Sequence, residues 1–120
     1  RRYAPNKAEV VNLVGDLENK DVIIIDDMID TAGTTVNAAE KAIENGAHSV
    51  IGVATHALLS GEAIERLKKS PIKQFIFTDT VHVPEEKILP NMRFVTVSGI
   101  FGEAIRRIYK GESVSALFNF

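Results

Sequence analysis

The chain has 120 residues, of which 45% are hydrophobic and 25% are charged, a composition typical of one soluble domain rather than of a disordered or membrane-embedded chain. Its formal net charge of −2 excludes a general basic field for nucleic acid, so any phosphate must be bound locally. The absence of cysteine excludes disulfides and thiolate metal sites and fits a cytoplasmic protein. No apolar run reaches membrane-spanning length, so we expect no membrane partner.

The first residues form a basic segment, Arg1 to Lys7, which contains a proline and has no periodicity. From these residues alone we interpret it as an exposed terminal loop. The β-branched character of Glu9–Val14 then predicts a strand, and a polar turn follows over residues 15–20.

The most informative stretch runs from Val22 to Ala39. Val22–Ile25 is a run of β-branched apolar residues, which predicts a strand buried on both faces, as parallel sheets require. Asp26 and Asp27 follow where that strand is expected to end. A turn of small and hydroxyl-bearing residues comes next, and then a helical pattern.

A strand, a small-residue turn and a helix start together favour an anion site, because backbone N–H groups converge there and the helix dipole attracts negative charge. We expect Gly33 to supply a positive φ or a close backbone approach to the ligand. The hydroxyl groups of Thr31, Thr34 and Thr35 can donate to phosphate oxygens.

The two acids predict a different kind of contact. Successive strand side chains point to opposite faces, so Asp26 and Asp27 cannot both face the same group. One can accept hydrogen bonds from sugar hydroxyls, while the other holds the turn or helps to bind a metal. This favours a phosphorylated sugar over a nucleoside triphosphate, since neither a Walker loop nor Gly-x-Gly-x-x-Gly is present. The alternative from the residues alone is a capped strand-to-helix junction with no ligand.

Strands and helices continue to alternate beyond this point. The first helix presents Val36, Ala39 and Ile43 on one face, and Asn45-Gly46 is expected to end it. A second strand is predicted over Val50–Ala54. It is followed by His56, which either faces the site or packs at the strand end.

The second helix is predicted over Ser60–Lys69, with Ser60 as its cap and Leu67 facing inward. Phe75–Phe77 predicts a third strand and Phe94–Val97 a fourth. The alternation predicts an α/β fold with a mainly parallel sheet and flanking helices.

A last helix is expected to bury one apolar stripe and to end at Gly111. The spacing of the histidines predicts no metal cluster. The stripe consists of Phe101, Ala104, Ile105 and Ile108. The charged residues interpreted as solvated helix faces are Glu62, Glu65, Arg66, Lys68 and Lys69 on the second helix, and Arg106, Arg107 and Lys110 on the last.

The string Asp26-Asp27-Met28-Ile29-Asp30-Thr31-Ala32-Gly33-Thr34 resembles the phosphoribosyl-binding signature of the type I phosphoribosyltransferase fold. Its form is similar to the one carried by ribose-phosphate pyrophosphokinases, the phosphoribosyl pyrophosphate synthetases. Residues 55–61 resemble that family's Thr-His-x-x-x-Ser-Gly segment, and residues 103–118 its C-terminal signature. The resemblance therefore runs nearly end to end.

The resemblance implies an enzyme that transfers diphosphate from Mg-ATP to ribose 5-phosphate, giving phosphoribosyl pyrophosphate and AMP. It also implies two-domain subunits that form hexamers and are regulated by phosphate and ADP. We expect residues 1–120 to be a single domain, the C-terminal part of a phosphoribosyltransferase-like domain of such a longer subunit. The ligands of Mg2+ and the catalytic lysine are expected to lie mostly outside it, so the chain alone should be inactive.

The resemblance also assigns roles to residues. Arg2 matches the end of a mobile catalytic loop and would steady the transferring phosphoryl charge. Asp26 and Asp27 would bind ribose hydroxyls, and Ser113 and Ser115 resemble a part of the family near a regulatory anion site. The alternative for those serines is a packed tail, buried through its last apolar residues. The residues that would bind the 5-phosphate are Asp30, Thr31, Ala32, Gly33, Thr34 and Thr35.

Two other functions compete with this one. A non-catalytic regulatory homologue would keep the fold, although such proteins usually have altered acids or an interrupted phosphate loop, and here the loop is intact. A salvage phosphoribosyltransferase would need a base-binding hood, and the C-terminal Ser-Val-Ser-x-Leu-Phe pattern argues against it.

Overall fold

The computed structural model of the chain describes residues 15–118. In these residues four β-strands alternate with α-helices. The strand predicted over residues 9–14 and the basic segment with Arg2 lie outside the described residues. The strands are β1 (Asp21–Ile29), β2 (Ser49–Ala57), β3 (Gln74–Thr78) and β4 (Met92–Val95); the helices are α1 (Gly33–Glu44), α2 (Ala63–Lys69) and α3 (Ser98–Lys110), with single 3-10 turns at Glu85–Lys87 and Ser115–Phe118.

The strands form one parallel sheet in the order β1-β2-β3-β4. Ile24 pairs with Gly52, Gly52 with Phe75, and Phe75 with Met92, so the register is continuous across the sheet. This confirms the predicted α/β fold with a parallel sheet and flanking helices. Because all strands run the same way, their carboxyl ends lie at one edge of the sheet, where ligands of open α/β folds bind.

One face of the sheet carries the core. Phe75 and Phe77 of β3 are 0% and 1% exposed, with ring centroids 5.9 Å apart. Burying each phenyl group contributes about 1.5–3 kcal/mol. The helices meet this face through small side chains, Ala39 and Ala42 on α1 and Ala63 on α2, all buried. These alanines let the helices approach the sheet closely.

The opposite face of the sheet is open in the described residues. Ile23 and Ile25 of β1 are 60% and 77% exposed, and Val95 of β4 is 54% exposed. The prediction that β1 is buried on both faces is therefore wrong for residues 15–118. The physical reason is that α1 and α2 pack on the other face, and β1 is an edge strand of the described sheet.

Two strands extend beyond their predicted ends. β1 continues through Asp26 and Asp27 to Ile29, and β2 continues to Ala57, because Met28 pairs with His56 and Ile29 with Ala57. The acids thus lie inside the strand rather than after it. β4 begins two residues before the predicted Phe94.

The first helix ends as predicted, but of its predicted apolar face Ala39 is buried and Ile43 is 39% exposed. It ends at Glu44, and Gly46 has a φ of 91°. The second helix begins at Ala63 rather than at Ser60. The Ser60 side chain makes no capping hydrogen bond, but the Ser60 carbonyl accepts the Ala63 N–H at 3.1 Å. Leu67 faces inward as predicted.

The last helix ends at Gly111, where φ is 70°, as predicted. Its apolar stripe is not buried, however: Phe101, Ile105 and Ile108 are 58%, 66% and 68% exposed. Phe118 is also 64% exposed, so the packed-tail alternative is not supported. No helix within residues 15–118 has both the length and the apolar composition to span a bilayer.

Candidate functional site

The turn formed by residues 30–35, hereafter the 30–35 turn, joins β1 to α1 at the carboxyl edge of the sheet. Asp30 and Thr31 form a bend, and Ala32 precedes the helix with φ 70° and ψ 4°. Gly33 is the first helical residue and has no positive φ. Of the two alternatives for Gly33, a positive φ is therefore wrong, since Ala32 has it instead, and a close backbone approach to the ligand stays a prediction. An L-residue such as alanine adopts this left-handed conformation at a cost of about 1–2 kcal/mol, so its surroundings must hold it there.

At the start of this turn the carbonyls of Ile29, Asp30 and Thr31 all accept hydrogen bonds from residues 58–66. In a trans peptide the N–H of the following residue points the opposite way, so these bonds direct N–H groups toward the open side of the turn. Such a concavity of N–H groups is suited to an anion. The bonds run from Leu58 N and Leu59 N to Ile29 O (3.0 and 3.1 Å), from Ser60 N to Asp30 O (2.9 Å) and from Arg66 Nη1 to Thr31 O (3.0 Å).

The start of α1 adds further donors. The first helical hydrogen bond runs from Val36 N to Ala32 O at 3.0 Å, which leaves the N–H groups of residues 33–35 without intrahelical acceptors. Among residues 15–118 the Ala32 N–H also has no acceptor. These groups and the helix dipole favour an anion at this position.

The hydroxyl groups of the turn are not equally accessible. Thr31 and Thr34 are exposed, as is Asp30, whereas Thr35 is only 5% exposed and packs into the protein. Thr31 and Thr34 are thus the hydroxyl groups that a ligand can reach most easily.

Asp26 and Asp27 lie four and three residues before the turn and are both exposed. Their carboxylates accept the N–H of the next residue, Asp27 and Met28 respectively, each at 2.8 Å. The pKa of Asp27 lies below its ordinary value, first because of a hydrogen bond with the Asp26 carboxyl and then because of the Met28 N–H, with a smaller contribution from His56. Strand alternation assigns their Cβ atoms to opposite faces.

His56 has a specific side-chain partner at the end of β2. Its side chain is half-buried, and Nδ1 lies 2.7 Å from Thr80 Oγ1. Thr80 Oγ1 in turn lies 3.2 Å from the carbonyl of Thr55, and Thr78 Oγ1 donates to that carbonyl at 2.6 Å. These polar side chains connect the carboxyl ends of β2 and β3.

Asp79 follows β3 and has a structural contact. Its Oδ1 accepts the Val97 N–H at 2.9 Å, just before α3. The pKa of Asp79 is lowered by hydrogen bonds from the Thr96 side chain and the Val97 N–H. Two open cavities of about 350 and 330 Å3 lie on either side of Asp79. They adjoin the ends of β3 and β4 rather than the 30–35 turn.

The C-terminal serines lie together on the surface. Ser113 Oγ and Ser115 Oγ are 2.8 Å apart, and the Ser113 carbonyl accepts Arg107 Nη1 at 2.9 Å. Arg107 and Arg106 also bind Glu103, and these hydrogen bonds lower the Glu103 pKa to about 2. The positive charge nearest to the serines is therefore already paired.

Residues 15–118 contain no group of three or more residues that could hold a metal ion. Asp26 and Asp27 have carboxylate oxygens of the kind that Mg2+ binds. Mg2+ commonly takes one or two carboxylates together with substrate phosphates. Because strand alternation directs the two side chains to opposite faces, at most one of them would hold such an ion, together with substrate phosphates.

Arg66 is the contact that sequence reasoning missed. We interpreted it as part of a solvated helix face, yet its guanidinium binds the Thr31 carbonyl. No local pattern signals this contact, since it depends on how α2 packs beside α1.

Comparisons with known proteins identify the family of the chain. The family model described as the phosphoribosyl synthetase-associated domain matches residues 2–119. The ribose-phosphate pyrophosphokinase of Caldanaerobacter subterraneus is 52% identical over 118 residues, which are 98% of this chain and 37% of that protein. The enzyme of the same name from Bacillus cereus is 49% identical over 119 residues, 99% of this chain and 38% of that protein.

A solved structure is similar as well. The crystal structure of phosphoribosylpyrophosphate synthetase from Mycobacterium smegmatis superposes with a TM-score of 0.79 at 36% identity, over 82% of this chain and 33% of that one. The chain thus spans little more than a third of the length of these relatives. Because the family model covers almost every residue, the chain belongs to the phosphoribosyl synthetase-associated domain family.

Proposed function

We propose that this chain is the ribose 5-phosphate-binding part of a ribose-phosphate pyrophosphokinase. The observation that carries the proposal is the start of the 30–35 turn, where the carbonyls of Ile29, Asp30 and Thr31 accept hydrogen bonds from residues 58–66. The N–H groups that follow these carbonyls therefore face the open side of the turn. Family membership and the names of the relatives support the same ligand.

In this proposal the 5-phosphate binds at residues 30–35, chiefly through backbone N–H groups and the hydroxyl groups of Thr31 and Thr34. Asp26 and Asp27 accept hydrogen bonds from the ribose hydroxyls. The sugar lies along the carboxyl edge of β1, so that its hydroxyls separate the carboxylates from the phosphate. This separation matters because the three carboxylates of residues 26, 27 and 30 would otherwise repel the anion.

The reaction of the whole enzyme is then the transfer of the β,γ-diphosphoryl group of ATP to the C1 hydroxyl of ribose 5-phosphate. The C1 oxygen forms a bond to the β-phosphorus, the bond from that phosphorus to the AMP oxygen breaks, and the hydroxyl proton is lost. Mg2+ bound with ATP supplies charge neutralisation for the phosphates. Arg2 is proposed to steady the transferring charge, and this chain's described residues orient the acceptor sugar.

The exposed apolar surfaces support a larger assembly. Ile25 of β1 is 77% exposed and Phe101 of α3 is 58% exposed, and parallel sheets normally have both faces covered. We propose that further parts of a longer two-domain subunit, and neighbouring subunits of a hexamer, cover these surfaces. A regulatory anion near Ser113 and Ser115 belongs to the same proposal.

Binding can be tested with the chain as it stands. Calorimetric titration with ribose 5-phosphate should give measurable, weak affinity, and ribose and inorganic phosphate should each bind more weakly than the joined molecule. Equal affinity for ribose 5-phosphate and inorganic phosphate would contradict the role of the acids. Absence of binding would contradict the proposed function of the turn.

A further inference from the structure

Arg66 reaches from α2 to the 30–35 turn. Its Nη1 donates to the Thr31 carbonyl at 3.0 Å and lies 3.7 Å from the position that a Cβ on Gly33 would occupy. On the other side, Nη2 lies 3.5 Å from Glu62 Oε2, one helical turn earlier. The guanidinium is therefore held between a carboxylate of its own helix and the backbone of the turn.

The hydrogen bond to Thr31 fixes the direction of one N–H group of the turn. The described residues contain no cis peptide, and in a trans peptide the carbonyl and the next N–H point in opposite directions. With the Thr31 carbonyl held toward Arg66, the Ala32 N–H points away from α2. Ala32 also has the left-handed conformation that alanine disfavours, so a contact at the preceding peptide helps to hold it.

The charge of Arg66 acts in the same direction. Asp26, Asp27 and Asp30 place three carboxylates on or next to the turn, and a phosphate dianion would be repelled by them. The Arg66 guanidinium, which also pairs with Glu62 at 3.5 Å, partly offsets this repulsion.

We propose that Arg66 is a positioning residue of the 30–35 turn, which holds the Thr31 carbonyl so that the Ala32 N–H faces the phosphate of the bound sugar. The inference rests on the proposed function for the identity of the ligand. The hydrogen bond from Arg66 to the Thr31 carbonyl is present in the free protein, so its effect on the turn can be measured without any ligand.

The first experiment measures backbone order parameters of the free chain by 15N NMR relaxation. Arg66→Met keeps the apolar stem and removes every donor. Lys68→Met on the same helix is the matched control, since within residues 15–118 Lys68 pairs only with Glu65 on the surface. We expect the Ala32 order parameter to fall from about 0.85 to below about 0.6 in Arg66→Met alone. Unchanged values in that variant would overturn the proposal.

The second experiment measures affinity for ribose 5-phosphate, inorganic phosphate and ribose. Arg66→Met should weaken binding of the two phosphates about tenfold, the effect of losing one charge-assisted hydrogen bond from the Ala32 N–H to the phosphate, and should leave ribose unaffected. Arg66→Lys, which keeps the charge and one donor, should restore part of the loss. A general structural defect would not separate phosphorylated from unphosphorylated ligands.

The outcomes separate the two proposals. If the unaltered chain binds ribose 5-phosphate and Arg66→Met binds it equally well, the role of Arg66 is wrong and the function of the turn stands. If the unaltered chain binds no sugar phosphate while Arg66→Met loosens the turn, the proposed function is wrong and the positioning role stands.

Discussion

Replacing Asp26 by asparagine tests the sugar-binding role of the acids. Asp26 Oδ1 accepts the Asp27 N–H at 2.8 Å, and an asparagine oxygen can keep that bond. The substitution replaces the second carboxylate oxygen by a neutral amide group, so the strand is preserved while a charged acceptor is lost.

The expected loss follows from that exchange. A hydrogen bond to a charged group contributes about 1.5–3 kcal/mol and one between neutral groups about 0.5–1.5 kcal/mol. The difference, about 1–1.5 kcal/mol for one ribose hydroxyl, corresponds to a roughly tenfold weaker affinity for ribose 5-phosphate. Affinity for inorganic phosphate should not fall, because the removed charge repels it.

Calorimetric titration of both ligands measures this difference. Asp21→Asn is the matched control, since Asp21 lies at the opposite end of the same strand and its Oδ1 accepts the Ser49 hydroxyl at 2.6 Å. The reasoning is refuted if Asp26→Asn binds ribose 5-phosphate as tightly as the unaltered chain, or if the control loses as much affinity.

Three further predictions concern the core, the last helix and the activity. A Cβ on Gly52 would lie 3.2 Å from Phe75 Cδ1, so Gly52→Ala should lower the free energy of unfolding by about 1–3 kcal/mol in urea titrations; an unchanged midpoint would contradict this packing. Glu103 has a pKa of about 2 instead of 4.5, so its contribution to stability is present above pH 4.5 and is lost as the pH falls toward 2. The difference in unfolding free energy between the unaltered chain and Glu103→Gln should shrink over that range, and a constant difference would argue against the ion pairs with Arg106 and Arg107. Finally, the isolated chain should form no AMP from ATP and ribose 5-phosphate, which a chromatographic assay can check; measurable AMP would show that the described residues contain more of the active site than we propose.

Local patterns were sufficient for the order of the elements. Alternating apolar runs and helical faces predicted the parallel sheet, and Gly46 and Gly111 marked helix ends because both adopt a positive φ. The ends of β1 and β2 were predicted too early. These ends depend on pairing between the strands, as in Met28 with His56. The local sequence does not indicate such pairing, because the strand ends consist of polar residues.

Burial was harder to predict than secondary structure. The apolar residues of β1 and α3 do predict surfaces that avoid water, but Ile25 and Ile105 are exposed in residues 15–118. A hydrophobic pattern identifies a face that needs a partner and not whether the partner belongs to the same chain. The prediction that the apolar stripe of α3 is buried is wrong for this reason.

The candidate site likewise has some features that the local sequence predicts and others that depend on packing. The position of the 30–35 turn before α1 could be predicted because glycine and threonine are typical of a turn next to a helix start, whereas its role in binding stays a prediction. The left-handed Ala32 and the contact of Arg66 with Thr31 could not be predicted, since both depend on how segment 58–66 packs against the turn.

A crystal structure of the chain with ribose 5-phosphate would test the central claim most directly. We expect the phosphorus atom to lie against the N–H groups of residues 32–35, with ribose hydroxyls within hydrogen-bonding distance of Asp26 or Asp27. A ligand bound with its phosphate elsewhere, and the 30–35 turn left empty, would contradict the proposed function.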